Sequence, residues 1–462
     1  MASLREAILT MGAALVALAA ALVLDPEPGS AILAVVLSLS LSRSHLDRDL
    51  RGRIEAAVLL PVVSLGAIGV GLLLRNWPWL GAAVFVMVLS LSVGLRRYGP
   101  LGRKIGTLIA LPCVVLLVAP HVRSKALSPA MALAVPVIVA LIALLSVSVF
   151  HAIGQRLGWL PKPQRAPAEA ATPLAAGLRL VPSDRMALQM AVALGAAFTL
   201  GYLIFAPHWA WLVLTAFIVS SGNQGRLDVA YKSVLRVLGA AAGTVAALVF
   251  AHGLGGHGAS TGVLVLLAVF FGLWLRPISY AWWALFITLA LALLQGFQGA
   301  APQSILLPRL AEIVIGALIG VASAWFVLPV HSTDVLRRRI ADALAALSEA
   351  LDPATAAHTA EPFVSELKSV GKVAAAFRAA RLLARGKPHP ADWVDELMAC
   401  RQPALALIGQ GATPGAVRKA VGAARKAMRE PAQVQAGLAE LRAALEAAET
   451  TMPATISTKA AP

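Results

Sequence analysis

Twelve runs of predominantly apolar residues follow one another through the first 330 positions of this 462-residue chain. A bilayer span needs about 20 apolar residues, fewer where interfacial aromatics help its ends, because lipid offers backbone groups no partner outside a helix or a closed barrel. The runs are Ile8–Leu24, Ala31–Leu41, Ala56–Leu74, Trp79–Gly94, Ile105–Val118 and Leu127–Phe150, then Met186–Phe205, Trp209–Val219, Val234–Phe250, Thr261–Leu275, Ala281–Leu294 and Ala311–Val330. With 59% hydrophobic and only 13% charged residues, the chain is excluded from the ordinary soluble globular class. The expectation is an all-α polytopic membrane protein with about 12 transmembrane helices.

A formal charge of +16 would suit nucleic acid if the basic residues were clustered. They lie instead between apolar runs, as they do in membrane loops, so no nucleic-acid partner is expected. Up to position 330 there are 22 basic and 10 acidic residues, and after it 17 and 13. Two cysteines, Cys113 and Cys400, make no disulfide framework, and no spacing calls for a metal or cofactor.

Basic residues are held on the cytoplasmic side during insertion, and alternate loops differ in them. One set holds Arg43, Arg48, Arg51 and Arg53, then Arg96, Arg97, Arg103 and Lys104, then Arg226, Lys232 and Arg236, then Arg276. The other holds Arg75, Arg123, Lys125 and the edge residue Arg309, and its first turn carries Asp25 and Glu27. This places both termini in the cytoplasm of a bacterial-type cell, with the spans in its inner membrane. The opening segment has the look of a secretory signal, but SDRMALQMAVALGAAFTLGYLIFAP repeats its pattern later, so it reads as a span that is retained.

A shift of about 180 residues lays Arg5 on Arg185, Pro26 near Pro207, Arg53 near Arg236 and Arg96 on Arg276. Each half has an even number of spans, so the expected plan is two parallel six-helix repeats, 1–150 and 185–330, related by an axis along the membrane normal. Between them, 151–184 is a Pro/Ala-rich cytoplasmic linker. Beyond Pro329 the pattern turns polar and helical, with Leu438, Leu441 and Leu445 on one face. A cytoplasmic helical domain over 331–450 and a disordered tail over 451–462 are expected.

The second run of each half is the shortest, and hydroxyls end it: Ser38, Ser40 and Ser42, then Ser220 and Ser221. Short spans at matching repeat positions point to a substrate site; equally, polar ends extend a helix to full length. Arg309 and Glu312 are three apart, hence on one face, at the expected external end of the last span. They are candidates for gating, proton coupling or anion capture, against the alternative of an interfacial anchor. Gly316 and Gly320 continue that helix as a packing stripe. Arg236 at the expected cytoplasmic edge precedes Gly239, Gly243 and Thr244, a packing face, and would bind an anion or a membrane lipid headgroup, or anchor the helix. Trp209 and Trp211, with His208 and Tyr202, would stack on an aromatic ligand or form an interfacial belt. His252 and His257 read as external loop residues. No HExxH, GxSxG or Walker pattern occurs, so no enzyme is read here.

The runs SVLRVLGAAAGTVAAL, LRPISYAWW and RLAEIVIGALIGVASAWFVLP resemble the fusaric acid resistance protein-like family, the integral membrane bound transporters. There a basic residue precedes a G-x-x-x-G-T turn, and the last span opens on an Arg and acidic pair and ends near a proline. Arg236, Gly239, Gly243, Thr244, Arg309, Glu312, Gly316 and Pro329 occupy those places. The match covers roughly 186–330; the first half keeps Arg53 but lacks the Gly-Thr pattern and the pair, so two equivalent sites are not implied. The resemblance implies an efflux transporter for small anionic aromatic carboxylic acids, working with a periplasmic adaptor and an outer-membrane channel. The expected mechanism is alternating access between the halves, Arg309 attracting a carboxylate and Glu312 carrying a proton. A passive anion channel and a non-transporting scaffold acting through its C-terminal domain are the alternatives. A homo-oligomer is compatible with either plan.

Overall fold

The structure, a computed structural model, describes residues 2–26, 28–44, 50–118, 129–160, 181–206, 208–222, 224–254, 259–297, 302–353, 359–384, 388–411 and 414–451. Most of the expected linker, the loop residues Arg48, Arg123 and Lys125, His257 and the tail from 452 lie outside them. So does the side chain of His252.

Among the described residues the chain is helical, without strands. Up to Pro329 run α1 (Ala2–Leu24), α2 (Pro28–Ser44), α3 (Leu50–Asn76), α4 (Pro78–Gly94), α5 (Gly99–Val118), α6 (Pro129–Arg156), α7 (Pro182–Ile204), α8 (Trp209–Ser220), α9 (Arg226–Leu254), α10 (Ala259–Leu275), α11 (Tyr280–Phe297) and α12 (Pro302–Phe326). Seven of them, α1, α3, α4, α6, α7, α9 and α12, are long and apolar enough to cross a membrane; α2, α8, α10 and α11 are apolar but shorter. Their outer faces agree with lipid as solvent. On α3, Val58, Val62, Leu65 and Leu72 are exposed on one side, a stripe that water would penalise and acyl chains would not.

Helix boundaries differ from the expected runs in several places, two of which bear on candidate residues. α8 is short, at 12 residues, but α2 reaches 17, the same as α4, because Ser38 and Ser42 are buried within it and continue the helix instead of ending it. α12 begins at Pro302, well before Ala311, so Arg309 lies inside the helix and not at its edge. Proline at a helix start loses nothing, since the first amides have no partner there, which lets the helix begin that early.

The chain divides into two compact units, residues 1–223 with 232–329, and residues 224–231 with 330–462. The first is held by three apolar clusters. One joins α1, α2, α3, α5 and α6; another joins α3, α4, α5, α7 and α8; a third joins α1 and α2 to α9, α10 and α11. The end of α12 is fixed by side chains. Gln189 Nε2 donates to Val327 O and Leu328 O at 2.9 and 3.2 Å, and Ser323 Oγ donates to Gln189 O at 2.7 Å. Those bonds hold Leu328 at a φ of +46°, a left-handed conformation that costs a leucine about 1 kcal/mol.

The second unit comprises α13 (Ser332–Ala350), α14 (Glu361–Arg381), α15 (Pro390–Ala399), α16 (Arg401–Gly409), α17 (Gly415–Ala427) and α18 (Val434–Thr451). Leu336, Ile340, Leu344 and Leu347 of α13, Val370 of α14, and Leu438, Leu441 and Leu445 of α18 are buried at helical spacing in its core. Residues 224–231 belong to it: Arg226 N–H donates to Val330 O at 3.1 Å, and Leu227 N–H to Ser332 Oγ at 2.9 Å.

Candidate functional site

A cavity of about 850 Å³ lies within the first unit, between α1 and α2 on one side and α8 to α11 on the other. One face of α11 runs its length, through Tyr280, Trp283, Ile287, Leu291 and Leu294. Fourteen steps of 1.5 Å between its first and last residue make that face about 21 Å long. Its two ends differ in chemistry. Lys232, Arg236 and Arg276 line it near the starts of α9 and α11, together with Tyr280, Trp283 and the Ser221–Gly222 turn. Toward Thr261 and Leu294 the lining is almost wholly aliphatic. Among the described residues no carboxylate lines the cavity.

Arg236 is the buried cation of that end. It lies in the third turn of α9, is 1% exposed, and its Nε donates no hydrogen bond. The sequence reads it as the edge of a run that starts at Val234; α9 begins earlier, at Arg226, so it lies inside the helix. Arg276 lies against the Trp283 ring, its Cζ 5.5 Å from the centroid, and Lys232 Nζ donates to Gly222 O at 3.2 Å.

The glycines explain how Arg236 comes to face α11. A Cβ on Gly239 would fall 2.5 Å from Ala281 O, and one on Gly243 would fall 2.4 Å from Leu285 O. No other side chain lets the two backbones meet at that separation. Thr244, next in the chain, is buried.

A second polar locus lies between α8 and α12. These helices run parallel, since Trp211 meets Arg309, Thr215 meets Gly316 and Val219 meets Gly320. Arg309 and Glu312 are both 1% exposed, one turn apart. The Arg309 guanidinium lies over the Trp211 ring, its Cζ 4.0 Å from the centroid. Neither Glu312 oxygen has a hydrogen bond, and Glu312 Oε1 stands 3.9 Å from His208 Nδ1.

The remaining sequence candidates separate. Ser220 is buried toward Gly320 on α12, while its neighbour Ser221 lines the cavity. Trp209 packs against Phe198 and Tyr202, tilted on the first and edge-on to the second, with ring centroids 5.4 Å apart in each case. Trp211 is buried beneath the Arg309 guanidinium. Glu312 is not alone as a carboxylate within the apolar helices: Glu55 of α3 pairs with Lys104 of α5, but that carboxylate is 35% exposed and Glu312 is not. In the sequence Lys232, Arg276, Tyr280 and Trp283 read as loop charges or span ends, and His208 as a stacking residue. The clustering of 276, 280 and 283 on one approach to α11 is the signal that could have found most of them.

Residues 190–323, which hold Arg236, Arg276, His208, Arg309 and Glu312 but not the α1 and α2 wall of the cavity, match the fusaric acid resistance protein-like family. The resemblance read from the motifs is therefore shown over that stretch. The chain is also 26% identical over 175 residues to the Uncharacterized protein YhfK of Escherichia coli (strain K12), a match that covers 37% of this chain and 24% of that protein. The chain thus spans about a quarter of the length of the relative it matches. No solved structure matches.

Proposed function

We propose that this chain is a multi-pass inner-membrane exporter of small anionic compounds, aromatic carboxylic acids above all. In this reading α1 to α12 all cross the bilayer as two parallel six-helix repeats, 1–150 and 185–330. Both termini and the helices after Pro329 are cytoplasmic. The observation that carries it is the two-ended cavity: three cations and two aromatic rings at one end, no carboxylate among its described lining, and an aliphatic remainder. A carboxylate gains a charge-assisted bond from Arg236, while the ring it is attached to meets Trp283 and the aliphatic wall. The family matched by 190–323 agrees with such a cargo.

Transport then consists of exposing this cavity alternately to the two sides, with α1 and α2 moving against α8 to α11. Glu312 is the coupling group. A buried carboxylate that accepts no hydrogen bond is held there at a cost, and gaining or losing a proton is the natural way to relieve it. A periplasmic adaptor and an outer-membrane channel would carry the cargo onward.

The test is flux of a panel of labelled aromatic carboxylates, 4-hydroxybenzoate first, into proteoliposomes of the purified chain with and without a pH gradient. Accumulation against the substrate gradient is expected. Purely downhill, voltage-driven flux would replace the carrier by an anion channel, and absence of flux for every member of the panel would remove the cargo class.

A further inference from the structure

Glu312 is sealed from water by its own surroundings, so a proton that reaches it must be handed over. On α12 its neighbour one turn back is Arg309, stacked on Trp211. α8 itself carries no titratable side chain, and just before it begins stands His208. On α7 the titratable group toward this end is Tyr202, whose hydroxyl is already committed to Pro78 O at 3.3 Å; Asp184 and Arg185 lie at the other end of that helix. On α11 the titratable residue is Tyr280, in the helix's first turn among the cations of the cavity. On α9 the buried cation is Arg236, which lines the cavity. Of all these groups, His208 alone combines exposure with proximity. Its side chain is 37% exposed, while the Glu312 side chain 3.9 Å away is 1% exposed.

The position of His208 in the chain adds a second argument. It occupies the N-cap site of α8, where a side chain usually accepts a bond from the first free amides. Here it makes no such bond; the side chain instead stands over α12. Its role there is not the capping that its place in the chain would suggest.

We propose that His208 is the proton relay between water and the buried Glu312 carboxylate. The proposal rests on the coupling role given to Glu312 above. The transfer is balanced within the pair: the Nδ1–H bond of a histidinium breaks and an O–H bond forms on Glu312 Oε1, leaving neutral imidazole and a neutral carboxylic acid. The imidazole then takes its next proton from water. A gap of 3.9 Å is closed by a small side-chain rotation or by one bridging water. Imidazole suits the task because the same ring nitrogen that gives up a proton as histidinium can take one back as neutral imidazole. The return step runs the same bonds in reverse when Glu312 must discharge.

The test uses the full chain in proteoliposomes loaded with a pH-sensitive dye and driven by a 4-hydroxybenzoate gradient. Three proteins are compared: the wild type, His208→Gln and His208→Ala. Substrate-linked proton flux should fall about a hundredfold in both variants, the lower end of what a positioned acid–base group contributes. Equilibrium binding of 4-hydroxybenzoate should not change, which reports that the variants are folded. Added imidazole should restore proton flux to His208→Ala and not to His208→Gln, a recovery that a purely structural role would not give. Wild-type proton flux with an unaltered pH profile in His208→Gln would overturn the relay while leaving coupling intact, and so would failure of imidazole to restore His208→Ala. Substrate flux without proton movement in the wild type would instead overturn the coupling role of Glu312, and the relay with it.

Discussion

Arg309 is stacked on Trp211, guanidinium carbon 4.0 Å from the ring centroid, with both side chains buried. A charge removed from water to this degree needs compensation, and the indole face supplies about 2 kcal/mol of it in a desolvated site. Trp211→Leu keeps the apolar bulk and removes the ring. It should lower the thermal unfolding temperature in detergent and reduce 4-hydroxybenzoate flux roughly thirtyfold, the equivalent of about 2 kcal/mol. Trp211→Phe, which keeps a π face, should lose less in both assays. Equal losses in the two variants would mean that volume and not the cation–π contact matters.

Arg236 should dominate anion binding in the cavity. It is buried, and its Nε has no bond to give up. Arg236→Gln should weaken 4-hydroxybenzoate binding roughly ten- to hundredfold, the value of a hydrogen bond to a charged group. It should leave binding of the neutral methyl ester little changed. Lys232→Gln should cost far less, because that ammonium already donates to Gly222 O at a more exposed position. Calorimetric titration of the three proteins with acid and ester separates these cases.

Much of this is legible in the chain alone. The apolar runs mark where helices lie, because a run of that length has no other way to satisfy its backbone in lipid. The four-residue spacing of Gly239 and Gly243 announces a face that another backbone can approach. What the pattern does not carry is the partner. That α11 fills this face, and that α8 and not a more distant helix lies on Gly316 and Gly320, depends on packing between segments far apart in sequence. Charge is the least legible signal. Lys232, Arg236 and Arg276 look like positive-inside residues whether or not they border a cavity, since topology demands basic residues at those loops either way. His208 is hidden for a similar reason: its partner, Glu312, is 104 positions away on α12, and the residues around His208 do not point to it.

The close contact of α9 with α11 leads to a stability prediction. Gly239→Ala places a methyl group 2.5 Å from Ala281 O, backbone that cannot rotate away. The helices must part, at about 1–3 kcal/mol. At Gly195 of α7 an added methyl group would meet nothing within 4 Å, so Gly195→Ala should be neutral or stabilise by about 0.5–1 kcal/mol through helix propensity alone. Thermal unfolding of the two variants in the same detergent should move in opposite directions or, at least, only Gly239→Ala should fall.

The C-terminal helices give a prediction in pH. α15 begins with a reciprocal cap: Ala391 N–H donates to His389 Nδ1 at 3.2 Å, and His389 N–H donates to Asp392 Oδ2 at 2.9 Å. Arg381 adds a bond to Asp392 Oδ1 at 2.8 Å. The His389 amide first and the Arg381 guanidinium second hold the Asp392 carboxyl below its ordinary range. A carboxyl whose folded pKa is depressed stabilises the fold above its unfolded pKa, about 3.9, and that contribution drains away as pH falls through the lower folded value. Deuterium uptake over α15, corrected for intrinsic exchange rate, should therefore rise as the full chain is taken from about pH 5 to about pH 3. Asp392→Asn should raise uptake already at neutral pH, by the equivalent of about 1 kcal/mol for a lost cap, and should flatten the acid dependence. An acid response that persists unchanged in Asp392→Asn would assign it to other carboxylates, of which Asp395, bonded to Arg378 and Arg381, is the nearest.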